Sequence, residues 1–259
     1  DPQTNQVVAT IEIGERGGSY GSPLAVAVSS GAAWVTDNAG LAIVRIDPTN
    51  NQIVARIPLE RTIAGIQRDV EPYYISADDE AVWVTGLDSD SLIRIDPETN
   101  EVIASFKVPS PSGIAIGENA VWVANHREGT VSRVDPQTNQ VAAIVDVPGG
   151  SPEAVAVDTG IVWVTDSVTG TVTRIDAETN VVVETTPSVG ARANGIAVGG
   201  GGVWVTSFAA GTLTQIDPET NRIVGSLELS PAVGVVFGEG SVWVGDIGSS
   251  SVLRITPLP

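Results

Sequence analysis

The sequence predicts an all-β fold: a six-bladed β-propeller with four antiparallel strands per blade. Three observations predict it. A tryptophan in the setting Val/Ala-Trp-Val recurs at Trp34, Trp83, Trp122, Trp163, Trp204 and Trp243, at spacings of 49, 39, 41, 41 and 39. A turn motif, Asp-Pro-x-Thr-Asn, opens at Asp1, Asp96, Asp135 and Asp217, with the variants Asp-Pro-Thr-Asn-Asn at Asp47 and Asp-Ala-Glu-Thr-Asn at Asp176. Val, Ile and Thr alternate with polar residues throughout, and no segment holds a helical period. A period near forty residues with a fixed tryptophan is the mark of a propeller blade.

Each repeat reads as four short strands, A to D from the axis outward. In the third they cover about 112–116, 120–124, 130–134 and 140–146. Asp135 to Asn139 joins C to D: Pro fixes φ, Asp accepts backbone N–H groups and Asn tolerates a left-handed backbone. The tryptophan on strand B is too large for a solvent face and is expected to fill the gap between adjacent blades. The blades are expected at about 24–57, 73–107, 112–146, 153–186, 194–228 and 233–255 in one domain covering 1–259. The last repeat lacks a D strand, whereas Val7 to Ile13 resembles one. That N-terminal strand is expected to complete the last blade beside Ser251 to Ile255 and so remove two open edges.

Composition narrows the partners. With 31 acidic and 13 basic residues, the net charge is -18. Such a surface repels phosphate backbones and anionic lipid, so nucleic acid is not expected as a partner. No apolar run is long enough to span a bilayer, so membrane insertion is not expected either. Cysteine is absent, which removes disulfides and thiol chemistry. Methionine is absent even at position 1. This is read as a chain that begins inside a larger reading frame, as a mature form or a domain of a larger protein. A closed ring with charged rims is expected to be monomeric. Its partner would be a protein or a small-molecule ligand.

Candidate functional residues lie where the repeats disagree, because the scaffold demands only what they share. In a propeller the D–A and B–C loops share one face around the axial channel, and variable loops on a rigid scaffold are the usual seat of binding. Two D–A loops are enlarged, Gly14–Ser22 and Glu60–Pro72. Aligned starts of strand A are Leu24, Tyr73, Ser112, Glu153, Asn194 and Val233, and the position three after each Trp holds Asp37, Gly86, Asn125, Asp166, Ser207 and Asp246. Glu153, Asn194, Asn125 and Asp166 are oxygen donors from three consecutive blades, the donor type that Ca²⁺ or Mg²⁺ takes. The competing reading is that Asn125 and Asp166 cap their own loops. A second set, Tyr73, Tyr74, Arg68, His126, Arg127, Arg192 and Tyr20, is a candidate ligand or partner surface, since Tyr offers contact area at low entropy cost. His126 is the single histidine. No Cys nucleophile, His cluster or specific Ser-His-Asp spacing accompanies it, so no residue is assigned a catalytic role.

The run from Gly113 to Val141 resembles the bacterial propellers grouped with YVTN-repeat and streptogramin-lyase-like proteins, and the likeness extends along the chain. The resemblance implies the propeller fold and an extracytoplasmic or secreted location. Streptogramin lyases have seven blades and a site of two histidines and a glutamate around Mg²⁺; this chain offers six repeats and one histidine, so only His126 and Glu153 correspond by residue type. The six-bladed gluconolactonase-like family, which holds a divalent metal with Glu, Asn and Asp, is closer in size, and Glu153, Asn194 and Asn125 or Asp166 are similar in type. Three functions compete: a non-catalytic binding or scaffold propeller, a divalent-metal-dependent lyase or lactonase, and an engineered consensus propeller with no native function.

Overall fold

The computed structural model describes residues 1–14, 23–63 and 66–257, without the side chains of 60–63 and 66–68. The fold is all-β, with six propeller blades in chain order. The chain divides into two compact units, Asp1–Ile116 and Gly117–Pro259.

In the first unit, blade one is the sheet β1 (Val26–Ser29), β2 (Ala32–Asp37), β3 (Ala42–Asp47) and β4 (Gln52–Pro58), paired in that order. The enlarged loop after it contains a two-stranded ribbon, β5 (Glu60–Ile63) and β6 (Ile66–Asp69), where sequence suggested a plain loop. Blade two is β7 (Ile75–Ala77), β8 (Val82–Gly86), β9 (Ser91–Ile95) and β10 (Val102–Lys107). The third sheet opens with β11 (Pro111–Gly117) and continues in the second unit as β12 (Ala120–Asn125), β13 (Thr130–Asp135) and β14 (Gln140–Asp146). Blade four is β15 (Pro152–Asp158), β16 (Ile161–Asp166), β17 (Val172–Asp176) and β18 (Val181–Thr185). Blade five is β19 (Ala193–Gly199), β20 (Gly202–Ser207), β21 (Thr212–Ile216) and β22 (Ile223–Glu228). The last blade has three strands, β23 (Ala232–Gly238), β24 (Ser241–Asp246) and β25 (Ser251–Ile255).

The N-terminal segment corrects one expectation. Residues 6–13 form no strand and do not complete the last blade. Ile11 and Ile13 are instead held on the first blade, against Val35, Val44 and Ile46, and Arg56 donates to the carbonyl of Ile13. Apolar burial and that hydrogen bond favour the first blade as the anchor.

The turn motif behaves as its chemistry dictates. In each copy the Asn N–H bonds the Asp carbonyl four residues back at 2.8–2.9 Å, and the Asn φ lies between 55° and 61°. The Asp carboxylate accepts the N–H groups that follow, as Asp217 does from Glu219 at 2.8 Å and Thr220 at 3.0 Å. These bonds hold the carboxyls of Asp47, Asp96, Asp135, Asp176 and Asp217 below their ordinary pKa.

The tryptophans fill the space between neighbouring blades within each unit. Trp34 packs with Ile75, Val82, Val84, Ile93 and Ile95 of blade two. Trp163 packs with Ala193, Ile196, Val203, Val205 and Ile216 of blade five, and Trp204 with Ala232, Val235, Val242 and Val244 of blade six. The other face of five tryptophans carries an arginine from the paired position on strand C: Arg45, Arg94, Arg133, Arg174 and Arg254, at 5.0–5.7 Å from the ring centroid. In blade five Gln215 takes that place, and Trp204 Nε1 donates to the carbonyl of Gly199 at 3.0 Å.

Replacing Trp163 with Ala opens a cavity in the core of the second unit and removes the platform under Arg174. It is expected to destabilise the protein by about 3–5 kcal/mol, as for other buried Trp→Ala changes. Trp243→Ala, at a partly exposed ring, is expected to cost clearly less, and urea unfolding measures both. The turn aspartates predict an acid limb to stability. Their folded pKa values lie below the unfolded ones, so their contribution is complete above about pH 4 and is lost as pH falls through the folded values. Asp→Asn changes at several turns should flatten that limb in pH-dependent urea midpoints.

Candidate functional site

The residues that converge most closely lie in the second unit, on the loops of blades three to five. Strand β12 ends at Asn125, and the tight turn that follows carries His126 and Arg127. Strand β15 begins at Pro152 and puts Glu153 next to that turn. His126 Nδ1 lies 3.0 Å from Glu153 Oε2 and 3.2 Å from the carbonyl oxygen of Pro152. Both neighbours are acceptors, so Nδ1 carries the proton. The hydrogen bond that His126 donates to Glu153 is the chief cause raising the His126 pKa, helped by the carboxylate's charge; partial burial and Arg127 oppose it. The side chains remain 33% and 15% exposed, so a solute reaches both.

Thr165 holds Glu153 in place from below. Its Oγ1 accepts the N–H of Ala154 at 3.0 Å and sits 3.5 Å from the Ala154 carbonyl, pinning the start of β15 to β16. Thr36 pins Ala25 in blade one in the same way. This buried threonine, two residues after the Trp, recurs at Thr85 and Thr206. Its place in the repeat was the signal, and sequence reasoning passed over it.

Asn125 and Asp166 turn into their own loops. Asn125 is fully buried, and its amide donates to Thr130 Oγ1 and Ser132 Oγ, each at 2.8 Å. Asp166 Oδ1 accepts from the N–H groups of Val168 and Thr169 and from Thr169 Oγ1, while Oδ2 accepts from Ser151 N–H. Gly149, at φ +104°, passes so close that a Cβ there would lie 2.5 Å from Asp166 Oδ2, which requires glycine. Asn194 spans to blade six, with its amide 3.4–3.5 Å from the carbonyls of Ala232 and Val233 and its oxygen accepting from Thr206. Glu153 faces His126. The four oxygen donors singled out for a divalent cation thus point to four different sets of partners and do not make one ligand shell. Among the described residues no group of three or more His, Asp or Glu is spaced to hold a metal.

Arg192 completes the arrangement in blade five. Its guanidinium lies 5.0 Å over the ring of Phe208, a pairing that sequence reasoning missed. Its backbone sits at φ 58°, uncommon for a non-glycine residue. Two backbone bonds hold it there, Arg192 N–H to Ser167 O at 2.9 Å and Phe208 N–H to Arg192 O at 3.0 Å. Ser167 in turn donates its N–H to Ser151 O at 3.0 Å, next to Pro152. Loop backbone bonds therefore link the Ser151–Pro152 segment, on whose carbonyl His126 Nδ1 rests, to Arg192.

The other candidates lie elsewhere. Tyr73 and Tyr74 belong to the first unit, where they meet edge to face at 4.8 Å and bond Thr85 through their backbones. Arg68 lies on β6, and its side chain is outside the description; Tyr20 lies outside the described residues. At the opposite ends of the strands, a polar cavity of about 420 Å³ opens between blades three and four, lined by Glu118, Arg133, Asp176 and Glu178 among others.

Residues 8–257 match the model of the virginiamycin B lyase family. The chain belongs to that family. No curated protein sequence matches it. Among solved structures, a streptogramin B lyase is 16% identical, with 92% of this chain and 83% of that one covered at a TM-score of 0.75. A catalytically inactive histidine-to-alanine variant of virginiamycin B lyase from Staphylococcus aureus, solved with quinupristin, is 15% identical, with 90% and 84% covered at a TM-score of 0.75. A computationally designed protein is 16% identical, with 92% and 71% covered at a TM-score of 0.72. At these identities the structural likeness concerns the fold, and family membership by itself assigns no reaction.

The pairing of His126 with Glu153 predicts a titration visible in isolation, because the chain has one histidine. Histidine NMR should place its pKa above the ordinary value of about 6.5, and Glu153→Gln should bring it back down. Since the folded pKa exceeds the unfolded one, the pair stabilises fully below about pH 6.5 and its contribution fades as pH rises through the folded value. A Glu153→Gln protein that keeps the wild-type titration would contradict this assignment.

Proposed function

We propose that this member of the virginiamycin B lyase family is a non-catalytic, extracytoplasmic binding propeller whose ligand or partner engages the loop face of blades three to five. The observation that supports it is the engagement of His126, the one histidine, with Glu153. A general base must be unprotonated at working pH. A neighbouring carboxylate biases this imidazole towards its charged form, and the same contact occupies the carboxylate. The pair suits recognition: it is partly exposed, and the neighbouring Asn125 and Asp166 are spent on their own loops.

A second reading, a lyase or lactonase at the same face, is favoured by the family. It would need Glu153 to part from His126, leaving a carboxylate to meet a divalent cation and an imidazole to move a proton. The assay that separates the two is incubation with a streptogramin B antibiotic such as quinupristin, with Mg²⁺ or Ca²⁺ present, followed by mass spectrometry. No ring opening above the protein-free rate is expected. Multiple turnovers lost in both Glu153→Ala and His126→Ala would replace binding with catalysis. Thermal melts give an independent check, because a metal at about a hundredfold its Kd stabilises the state that binds it by about 2.7 kcal/mol. No such rise with Mg²⁺ or Ca²⁺ is expected.

A further inference from the structure

We infer that blade six binds the first blade and N-terminal segment of a second copy of this chain, the copy's residues 6–13 supplying the strand that the last sheet lacks. This is independent of what the loop face of blades three to five binds. The expectation of a monomer rested on a closed ring, and the three-stranded last sheet removes that ground.

The interior seams show what such a surface needs. A strand-C residue, paired two positions after the tryptophan, shares a core cluster with a strand-A residue of the following blade: Ile43 with Ile75, Val172 with Ile196, and Leu213 with Val235. At this strand-C position Ile43, Leu92, Val131, Val172 and Leu213 are 0–2% exposed, whereas Val252 of blade six is 68% exposed. At the matching strand-A position Ile75, Val155, Ile196 and Val235 are 6–8% exposed, whereas Val26 of blade one is 63% exposed. Val236 and Val28, on the same strands A, are exposed as well. Each chain therefore carries both halves of one seam uncovered. The surface that fits the valines of blade six is the back of a blade, and a second copy offers one around Val26. Docking them removes from water the apolar area that joins the other blades.

The sheet edge leads to the same partner. Strand β25 pairs with β24 alone, and its other edge is open. Residues 6–13 have the sequence of a strand D: Ile11 and Ile13 follow Asp1 at the intervals at which Ile57 and Leu59 follow Asp47. Their packing corresponds too. Ile57 and Leu59 lie with Val82, Val84, Ile93 and Ile95 of blade two, and Ile11 and Ile13 lie with Ala33, Val35, Val44 and Ile46, which hold the same places in blade one. The segment thus rests on blade one where the strand D of a preceding blade belongs, yet it is part of no sheet. A first blade seated on a copy's blade six brings this segment alongside β25. Ile11 then comes opposite Val252, as Ile57 stands opposite Ile43. Main-chain bonds of an added strand join the apolar seam in holding the copies together.

Sedimentation velocity of the intact chain over a concentration series tests this, at physiological ionic strength, where repulsion between two acidic surfaces is screened beyond about 8 Å. A species of two or more chains is expected, its share rising with concentration. Val252→Asp and Val26→Asp alter exposed side chains, and each should raise the concentration of half-assembly about tenfold or more by placing an unpaired carboxylate in the seam. Ile144→Asp, at a similarly exposed residue on the outer strand of blade three, should leave it unchanged, and circular dichroism verifies that each variant folds. Because the chain has no cysteine, Val26→Cys and Val252→Cys chains with tags of different length can be mixed and mildly oxidised; a disulfide joining the two lengths is expected. Hydrogen exchange should slow at residues 7–12 and 251–255 in the assembled species. The inference is overturned by a monomer at every concentration, or by assembly that both aspartate variants leave intact. A chain bearing both cysteines that closes its disulfide within itself would overturn it equally, since the two halves of the seam would then meet without a second copy.

Discussion

Within each unit a tryptophan ties its blade to the next: Trp34 reaches blade two, Trp163 blade five and Trp204 blade six. One face of the ring carries the arginine across the strand pair, and the other packs against the apolar side of the following blade. The two contacts need each other. Without the arginine the ring would show a bare face to the outer half of its blade; without the next blade the indole would stand in water. In blade five, where Gln215 replaces arginine, the indole donates to the carbonyl of Gly199, as Trp243 does to Gly238 in blade six beside its arginine. A break in the ladder register follows the same strand-C position in blades one, three, four and five. The bulge adds twist there, so the residue that seats the tryptophan also marks where each sheet coils.

This construction separates the two ends of the strands. At one end, the aspartate-led turns repeat with the same bonds and the same left-handed asparagine. At the other, the loops differ in length and in side chain while the strands beneath them hold their pairing. Thr165, Asp166 and Gly149 illustrate how loops remain firm without being alike: a hydroxyl pins strand A, a carboxylate gathers four donors, and a glycine makes room for it. Only against such a firm floor can His126, Glu153 and Arg192 keep fixed positions on segments that belong to three blades.

Much of the fold was legible because its rules are local. Trp122, Asp135 and Asn139 each announce a strand or turn within a few residues, and strand bounds in blade three agree with the structure to within one residue at each end. The last blade was misread because the outward pattern of Val7 to Ile13 shows that the segment can pair, not where its isoleucines find the better burial. The arginine opposite five of the six tryptophans was visible in the repeat, but its role depends on cross-strand register. The site was legible only in part. His126 and Glu153 were each singled out by standing where other blades have something else. Their contact was not foreseen, since it depends on which loop of one blade meets which strand of the next. Arg192 stood out as a charge, yet its stack on Phe208 joins residues sixteen apart through a backbone angle that composition does not reveal.

The ribbon of β5 and β6 is an insertion between two blades, and both flanking sheets keep their four strands and their strand order around it. Length added at a loop is thus absorbed there and does not propagate into the sheets. For the lineage, this lets new recognition elements arise, lengthen or vanish one blade at a time while the rest of the scaffold stays under unchanged selection. For anyone grafting peptides, it marks the junction between the first two blades as a natural docking port for foreign sequence.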